Sequence, residues 1–153
     1  SDCMLMFAPH ANSYRRFVLN AFVPLNDCWG YNTRTVAMRI PHSDPANTRI
    51  EHRIAGADAN PYLVTAAVLA GMLHGLENGF DPGPPIIGNA YEQTESRSLY
   101  WRDTIADFMR SPFIADTFGA EFRHIYGQQK LKEQTSFYRE VTTLEYEWYL
   151  RQV

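Results

Sequence analysis

The residues best suited to chemistry fall in one short run, Arg49-Ile50-Glu51-His52-Arg53. In an extended chain, alternate side chains share a face. Arg49, Glu51 and Arg53 therefore point one way, and Ile50 and His52 the other. A carboxylate between two guanidinium groups has two readings. On an open surface it is a weak, solvated ion pair. In a cleft it suits a polyphosphate with a divalent metal, the carboxylate holding the metal and the arginines taking phosphate oxygens. The run alone leaves both readings open.

The neighbouring elements add positive charge to this region. Thr33–Ile40 reads as a strand, with Val36, Met38 and Ile40 alternating along one face and Arg34 at its start on that face. Thr35, Ala37 and Arg39 take the other face. Pro41 ends this strand, and His42–Thr48 is dense in turn formers. Arg49–Ile54 is then the return strand of an antiparallel pair. That arrangement gathers Arg34, Arg39, Arg49, Glu51 and Arg53, and the excess of arginine suits an anionic substrate. No Ser/His/Asp or Cys/His arrangement suggests covalent catalysis.

Other segments frame this pair. Met4–Phe7 is an apolar cluster stopped by Pro9 and reads as the tail of a helix. Arg15 and Arg16 are either ordinary surface residues or a bidentate clamp for a carboxylate or phosphate. Val18–Tyr31 reads as a long loop, in which Trp29-Gly30 suits either a flap or a buried anchor. Asn60 and Pro61 are a helix cap and first helical residue, and that helix runs to about Asn78, with Gly79 beyond its end. Leu69, Leu73 and Leu76 share one face of it. Ala66, Ala67, Ala70, Gly71 and Gly75 make another face small enough for close approach by a neighbour. His74 has no ligand partner at helical spacing. Phe80–Arg97 reads as a loop.

From Ser98 onward the pattern is helical. Trp101, Ile105 and Phe108 form one stripe. Ser111-Pro112 starts a short helix ended by Gly119, and Phe122, Ile125 and Tyr126 begin another. Phe137, Val141, Leu144 and Trp148 form a stripe to the end of the chain. Such stripes are expected in the core, so Ser98–Val153 is assigned packing without chemistry. The fold class expected is α+β, an antiparallel strand pair plus helices.

Composition narrows the function classes. The chain has 153 residues, 45% hydrophobic and 20% charged, which is an ordinary globular balance with length enough for a core. A net charge of −3 without any Lys/Arg block argues against nucleic-acid binding. No apolar run is long enough to span a bilayer. Cys3 and Cys28 lack metal or redox spacing and read as reduced thiols, consistent with a cytoplasmic protein. The chain opens at Ser1-Asp2-Cys3 without an initiator Met, which suggests a piece of a longer protein.

Taken together and in order, Asn-Ser-Tyr-Arg-Arg at 12–16, Asn32-Thr33-Arg34 followed by Arg39-Ile40-Pro41, and Arg49-Ile50-Glu51-His52-Arg53 followed by Ala59-Asn60-Pro61-Tyr62-Leu63 resemble the glutamine synthetase family. The match is to the C-terminal part of its catalytic domain. It implies that residues 1–153 are a portion of that domain, with active-site loops and strands over 1–60 and a mostly helical 61–153. Gly56-Ala57-Asp58-Ala59 and Trp29-Gly30 are most similar to the γ-glutamylpolyamine branch, that of γ-glutamylputrescine synthetase. Glutamine synthetases themselves carry a flap glutamate two residues before the proline matching Pro24. Phe22 stands there instead, which argues against ammonia as acceptor. Two further departures lie on flap and nucleotide loops. Leu19-Asn20 replaces a Pro-Gly, and the turn before Arg49 lacks a family lysine.

The resemblance implies roles for the residues. Arg16 would hold the α-carboxylate of glutamate. Arg34 and Arg53 would act at the γ-carboxylate and the transferring phosphoryl group, Arg39 at ATP phosphates, and Arg49 at the nucleotide. Glu51 would ligate one divalent ion, Mg²⁺ or Mn²⁺. The implied reaction joins the glutamate γ-carboxylate to a small amine such as putrescine through γ-glutamyl phosphate. The intact protein would be a homo-oligomer, a large ring in this family, and the fragment alone would be inactive. The alternatives are a glutamine synthetase using ammonia and a structural family member without catalysis. Phe22 weighs against the first, and the retained arginines with Glu51 weigh against the second.

Overall fold

The computed structural model describes residues 2–95 and 99–152. In chain order these form helices α1 (Met4–Phe7) and α2 (Ala11–Tyr14), strands β1 (Trp29–Tyr31), β2 (Met38–Ile40) and β3 (Glu51–His52), then helices α3 (Pro61–Glu77), α4 (Trp101–Arg110), α5 (Pro112–Phe118), α6 (Ala120–Arg139) and α7 (Thr143–Tyr149). Single 3₁₀ turns lie at Pro45–Asn47 and Ala90–Glu92. This is the α+β class expected. The loop-to-helix boundary read at Arg97 and Ser98 lies outside the described residues.

The expected antiparallel pair is present. Strand β2 runs against β3 with Met38 opposite His52 and Arg39 opposite Glu51. Both strands are shorter than their sequence pattern suggested. Thr33–Ala37 is a series of bends rather than strand, and Thr35, Val36 and Ala37 are buried there by the surrounding chain rather than by ladder pairing. The apolar alternation through Val36 thus reports burial and not strand. Arg49, Ile50, Arg53 and Ile54 likewise lie outside β3.

A third strand, β1, lies within the segment expected to be loop. β1 lies parallel to β2, giving the order β1-β2-β3. Asn32, at φ 59°, turns the chain out of β1, and its side-chain oxygen accepts from the His42 amide at 2.5 Å. The outer edge of β1 is laced to the 83–86 segment. Trp29 Nε1 donates to the Gly83 carbonyl at 2.9 Å, and the Ile86 amide donates to the Trp29 carbonyl at 2.8 Å. A Cβ at position 30 would lie 2.5 Å from the Ile86 carbonyl oxygen, so this approach requires Gly30. Trp29 is half-buried and is tied at both ring and carbonyl to the 83–86 segment.

Helix α3 begins and ends as its sequence dictates. The Asn60 side chain accepts from the amides of Tyr62 and Leu63, Pro61 occupies the first turn, and Gly79 follows the end at φ 61°. Its apolar faces behave differently from expectation. Leu69, Leu73 and Leu76 are exposed, and a Cβ at Gly71 or Gly75 would meet nothing within 4 Å. Only the side bearing Leu63, Val64, Ala67 and Val68 packs on the core.

That core joins α1, α3, α4 and α5 through Leu5, Met6, Phe7, Ala67, Trp101, Ile105, Phe108 and Ile114. The stripe Trp101, Ile105, Phe108 is buried as expected. Ser111 caps α5 by accepting from the Ile114 amide at 3.1 Å. Helix α6 lays Phe122 and Tyr126 against Phe108, at ring separations of 6.2 and 5.4 Å. It crosses 127–136 unbroken, and Gly127 allows α4 to come close: a Cβ there would sit 2.5 Å from Met109 Cγ. Lys130 is buried on α6, bonded to Glu133 at 2.7 Å. Glu133 in turn lies 3.0 Å from His10 Nδ1, which fastens α6 to the start of α2.

The C-terminal stripe is not core. Phe137, Val141, Leu144 and Trp148 are all exposed, and the helix stops at Glu140. Helix α7 restarts at a capping box between Thr142 and Glu145, a Thr-x-x-Glu signal visible in the sequence. Among the described residues, no helix is long and apolar enough to cross a membrane.

Candidate active site

Strand register builds the centre of the site. Arg39 and Glu51 are direct cross-strand partners, and two residues on along the same face comes Arg53. Arg39 Nη1 donates to Glu51 Oε2 at 3.1 Å, and Arg53 Nη1 donates to Glu51 Oε1. Both carboxylate oxygens are thus occupied by guanidinium groups. The side chains of Arg39, Arg53 and Glu51 are 19%, 17% and 35% exposed, so this is a sheltered cluster rather than an open surface pair. Desolvation acts to raise the Glu51 carboxyl, but its bond to Arg53 and the charges of Arg39, Arg53 and Arg49 hold it below its ordinary range. Glu51 is therefore ionised at neutral pH.

Arg53 reaches beyond the strand pair. Its amide donates to the Ala37 carbonyl at 2.9 Å, its Nε to the Arg34 carbonyl at 3.3 Å, and its Nη2 to the Phe22 carbonyl at 3.0 Å. One side chain thereby joins β3, the bend before β2 and the 18–24 segment. Arg16 sits behind this arrangement, donating to the backbone carbonyls of Arg53 and Ile54. Burial lowers its pKa, Asp58 acts to raise it, and Arg53 adds to the lowering. Ser13, on α2, donates to Asp58 at 2.5 Å, which ties the α2 end to the loop after β3. Arg49 stands apart: it is exposed and donates to the Asn47 carbonyl at 3.3 Å.

The opposite face of β3 looks into the fold. The His52 ring lies 4.5 Å from that of Phe7, while Ile50 is exposed. His52 Nε2 is buried without a hydrogen-bond partner among the described residues. Burial, with a contribution from Arg16, pushes the His52 pKa down.

Beside the cluster is an open cavity of about 470 Å³ lined by Asn20, Phe22, Arg34, Thr35, Asn89 and Tyr91, among others. The Arg34 side chain is exposed there, and among the described residues no carboxylate pairs with it. The far wall was not expected from sequence. The Ala90 amide donates to the buried Thr35 hydroxyl at 2.8 Å, and the Tyr91 hydroxyl donates to the Val23 carbonyl at 2.5 Å. Asn89, which caps the 3₁₀ turn, is legible as a turn former. The Tyr91 bond is not, because its partners are far apart in the chain.

The donors fit an anion better than they fit a metal. Arg39 Nε is buried with no hydrogen-bond partner among the described residues, and Arg34 adds an uncompensated charge at the cavity. The exposed Arg34 suits phosphate oxygens. A divalent cation needs several oxygen ligands. Glu51 is one carboxylate, already paired twice, and no cluster of three or more His, Cys, Asp or Glu suited to a metal occurs among the described residues. The described residues do not make a metal site by themselves.

Comparison with known proteins matches the chain to the family "Glutamine synthetase, catalytic domain" over residues 1–149. It is 43% identical over 149 residues to gamma-glutamylputrescine synthetase PuuA of Escherichia coli (strain K12), covering 97% of this chain and 32% of that protein. It is 37% identical over 139 residues to a glutamate–isopropylamine ligase of Pseudomonas sp, covering 86% of this chain and 30% of the relative. A solved structure of apo GmaS without ligand superposes with a TM-score of 0.82 at 30% identity, over 98% of this chain and 35% of that one. The chain thus spans about a third of the length of the relatives it matches.

Proposed function

The chain belongs to the glutamine synthetase catalytic-domain family, and from that premise we propose that the intact protein is an ATP-dependent ligase joining the γ-carboxylate of glutamate to a small amine such as putrescine. The observation that carries this reading is the carboxylate of Glu51 clasped between Arg39 and Arg53 beside a cavity where Arg34 is exposed. Relatives named for amine ligation support the acceptor class.

The chemistry explains the arginines. A carboxylate resists amine attack because its leaving group is oxide. Phosphoryl transfer from ATP converts it to γ-glutamyl phosphate, and the amine then displaces phosphate. Charge gathers on the phosphoryl oxygens, and fixed cationic donors stabilise it. Arg34 and Arg53 take that role, and Arg39 adds its charge toward ATP phosphates. Arg49 lies toward the nucleotide. Arg16 spends donors on two backbone carbonyls, and its remaining N–H groups serve the α-carboxylate of glutamate. Glu51 sets the spacing of Arg39 and Arg53 and contributes one ligand to a divalent ion, Mg²⁺ or Mn²⁺. No further ligands cluster with Glu51 among the described residues; on this reading the rest of the intact protein supplies them, and the 153-residue piece is inactive alone. The working enzyme is a homo-oligomer.

The test is ADP release by the intact protein with ATP, Mg²⁺ and glutamate, comparing ammonia, putrescine and monoamines. Faster release with an amine than with ammonia is expected. Preference for ammonia would make the protein a glutamine synthetase, and the absence of ADP release with every acceptor would overturn the ligase reading.

A further inference from the structure

The segment 18–24 carries Phe22 over the cavity, yet little of its own packing holds it. Residues 18–22 are exposed. Asn20 and Phe22 adopt φ of 66° and 54°, a left-handed backbone that non-glycine residues hold only when their surroundings enforce it. At Phe22 and Val23, side-chain bonds to two successive carbonyls hold the chain. Arg53 Nη2 takes the Phe22 carbonyl at 3.0 Å, and the Tyr91 hydroxyl takes the Val23 carbonyl at 2.5 Å. Tyr91 stands on a firm base. Its own amide donates to Asn89 Oδ1 at 3.2 Å, and the adjacent Ala90 amide is fixed to buried Thr35. Phe22 and Tyr91 line the same cavity as Arg34.

We propose that Tyr91 is a positioning residue for the acceptor step: through the Val23 carbonyl it holds Phe22 where the incoming amine must pass to reach the γ-glutamyl phosphate. The proposal rests on the ligase reading above. Tyr91 touches neither phosphate nor glutamate and acts through the segment it tethers. Arg53 shares the tethering but also serves the phosphoryl group, so Tyr91 is the place where positioning can be separated from chemistry.

The decisive variant is Tyr91→Phe in the intact protein, which keeps the ring and removes the hydroxyl. Two readouts are needed. Hydrogen exchange of peptides spanning 18–24 is expected to quicken while that of α4 and α6 stays as in the wild type. In steady-state kinetics the KM for the amine is expected to rise about fivefold, the effect of one lost hydrogen bond, with the KM for ATP moving less than twofold. Unchanged exchange over 18–24 overturns the tether. Faster exchange with both KM values unchanged, or raised alike, overturns the positioning role. Global loss of protection in Tyr91→Phe would mean that the hydroxyl serves folding instead, and would also overturn it. Wild-type protein that releases no ADP with any amine defeats the ligase reading and the positioning role with it, while the exchange result still decides the tether.

Discussion

Arg39 and Glu51 face each other across the antiparallel strands β2 and β3, with Nη1 3.1 Å from Oε2, and Arg53 closes on the other oxygen of the same carboxylate. Glutamine at position 51 would keep the shape and remove the charge. Glu51→Gln in the intact protein is expected to lower kcat on the order of 10²-fold, because the two guanidinium groups lose the anion that spaces them. Its effect on stability should be small, about 1 kcal/mol or less, since the side chain is 35% exposed and its pairing is screened. A variant retaining more than half the wild-type ADP release would defeat the role given to Glu51.

Arg53→Lys tests geometry rather than charge. A guanidinium can serve Glu51 and the carbonyls of Arg34 and Phe22 together, whereas an ammonium on a flexible stem cannot span them. The expected outcome is a loss of kcat/KM on the order of 10²-fold, with unfolding eased by about 1–3 kcal/mol. Thermal unfolding and ADP release on the same preparation check both. Wild-type kinetics in Arg53→Lys would show that a positive charge alone suffices.

The pH dependence of stability has a defined sign. Glu51 and His52 both have folded pKa values below their ordinary 4.5 and 6.5. Each binds fewer protons folded than unfolded, so its contribution is present above the ordinary value and is lost as pH falls through the folded one. Stability should therefore decline below pH 6.5 on account of His52, and further below pH 4.5 on account of Glu51. His52→Phe keeps a ring against Phe7 and should flatten the first part of the decline. Denaturation midpoints measured across this range decide it; an unaltered slope in His52→Phe would assign the decline to other groups.

Gly127→Ala would normally favour a helix by about 1 kcal/mol. Here the new methyl meets Met109 Cγ at 2.5 Å, so the net effect is expected to be a loss of about 1–2 kcal/mol through overpacking. Combining it with Met109→Ala should remove the clash, leaving the double variant closer to Met109→Ala alone than additivity predicts. Denaturant unfolding of both single variants and the double variant measures that coupling.

What the sequence made legible was local. The cap and first turn of α3 follow from Asn60 and Pro61, and the pairing of β2 with β3 follows from a turn between two short alternating runs. The Arg39–Glu51–Arg53 cluster came with that register. Bonds across long loops carry no such signature, which is why β1, the lacing of Trp29 to Gly83 and Ile86, and the Tyr91–Val23 bond were not foreseen. Apolar periodicity misled in a specific way. It marks faces that favour burial without saying what covers them, and Leu69, Leu73, Leu144 and Trp148 are exposed in this chain. The Thr142–Glu145 capping signal was present and should have divided the last stripe into two elements.

Arg53 uses a single guanidinium for both the Glu51 carboxylate and the Phe22 carbonyl. Any ligand that draws Arg53 toward itself must change how firmly the 18–24 segment is held, and ordering that segment must change the affinity for the ligand by the same factor. On the proposed roles, anion binding at Arg53 and ordering of the 18–24 segment are thermodynamically linked and reciprocal. That linkage would run through one side chain, with no need for a separate relay between the two sites.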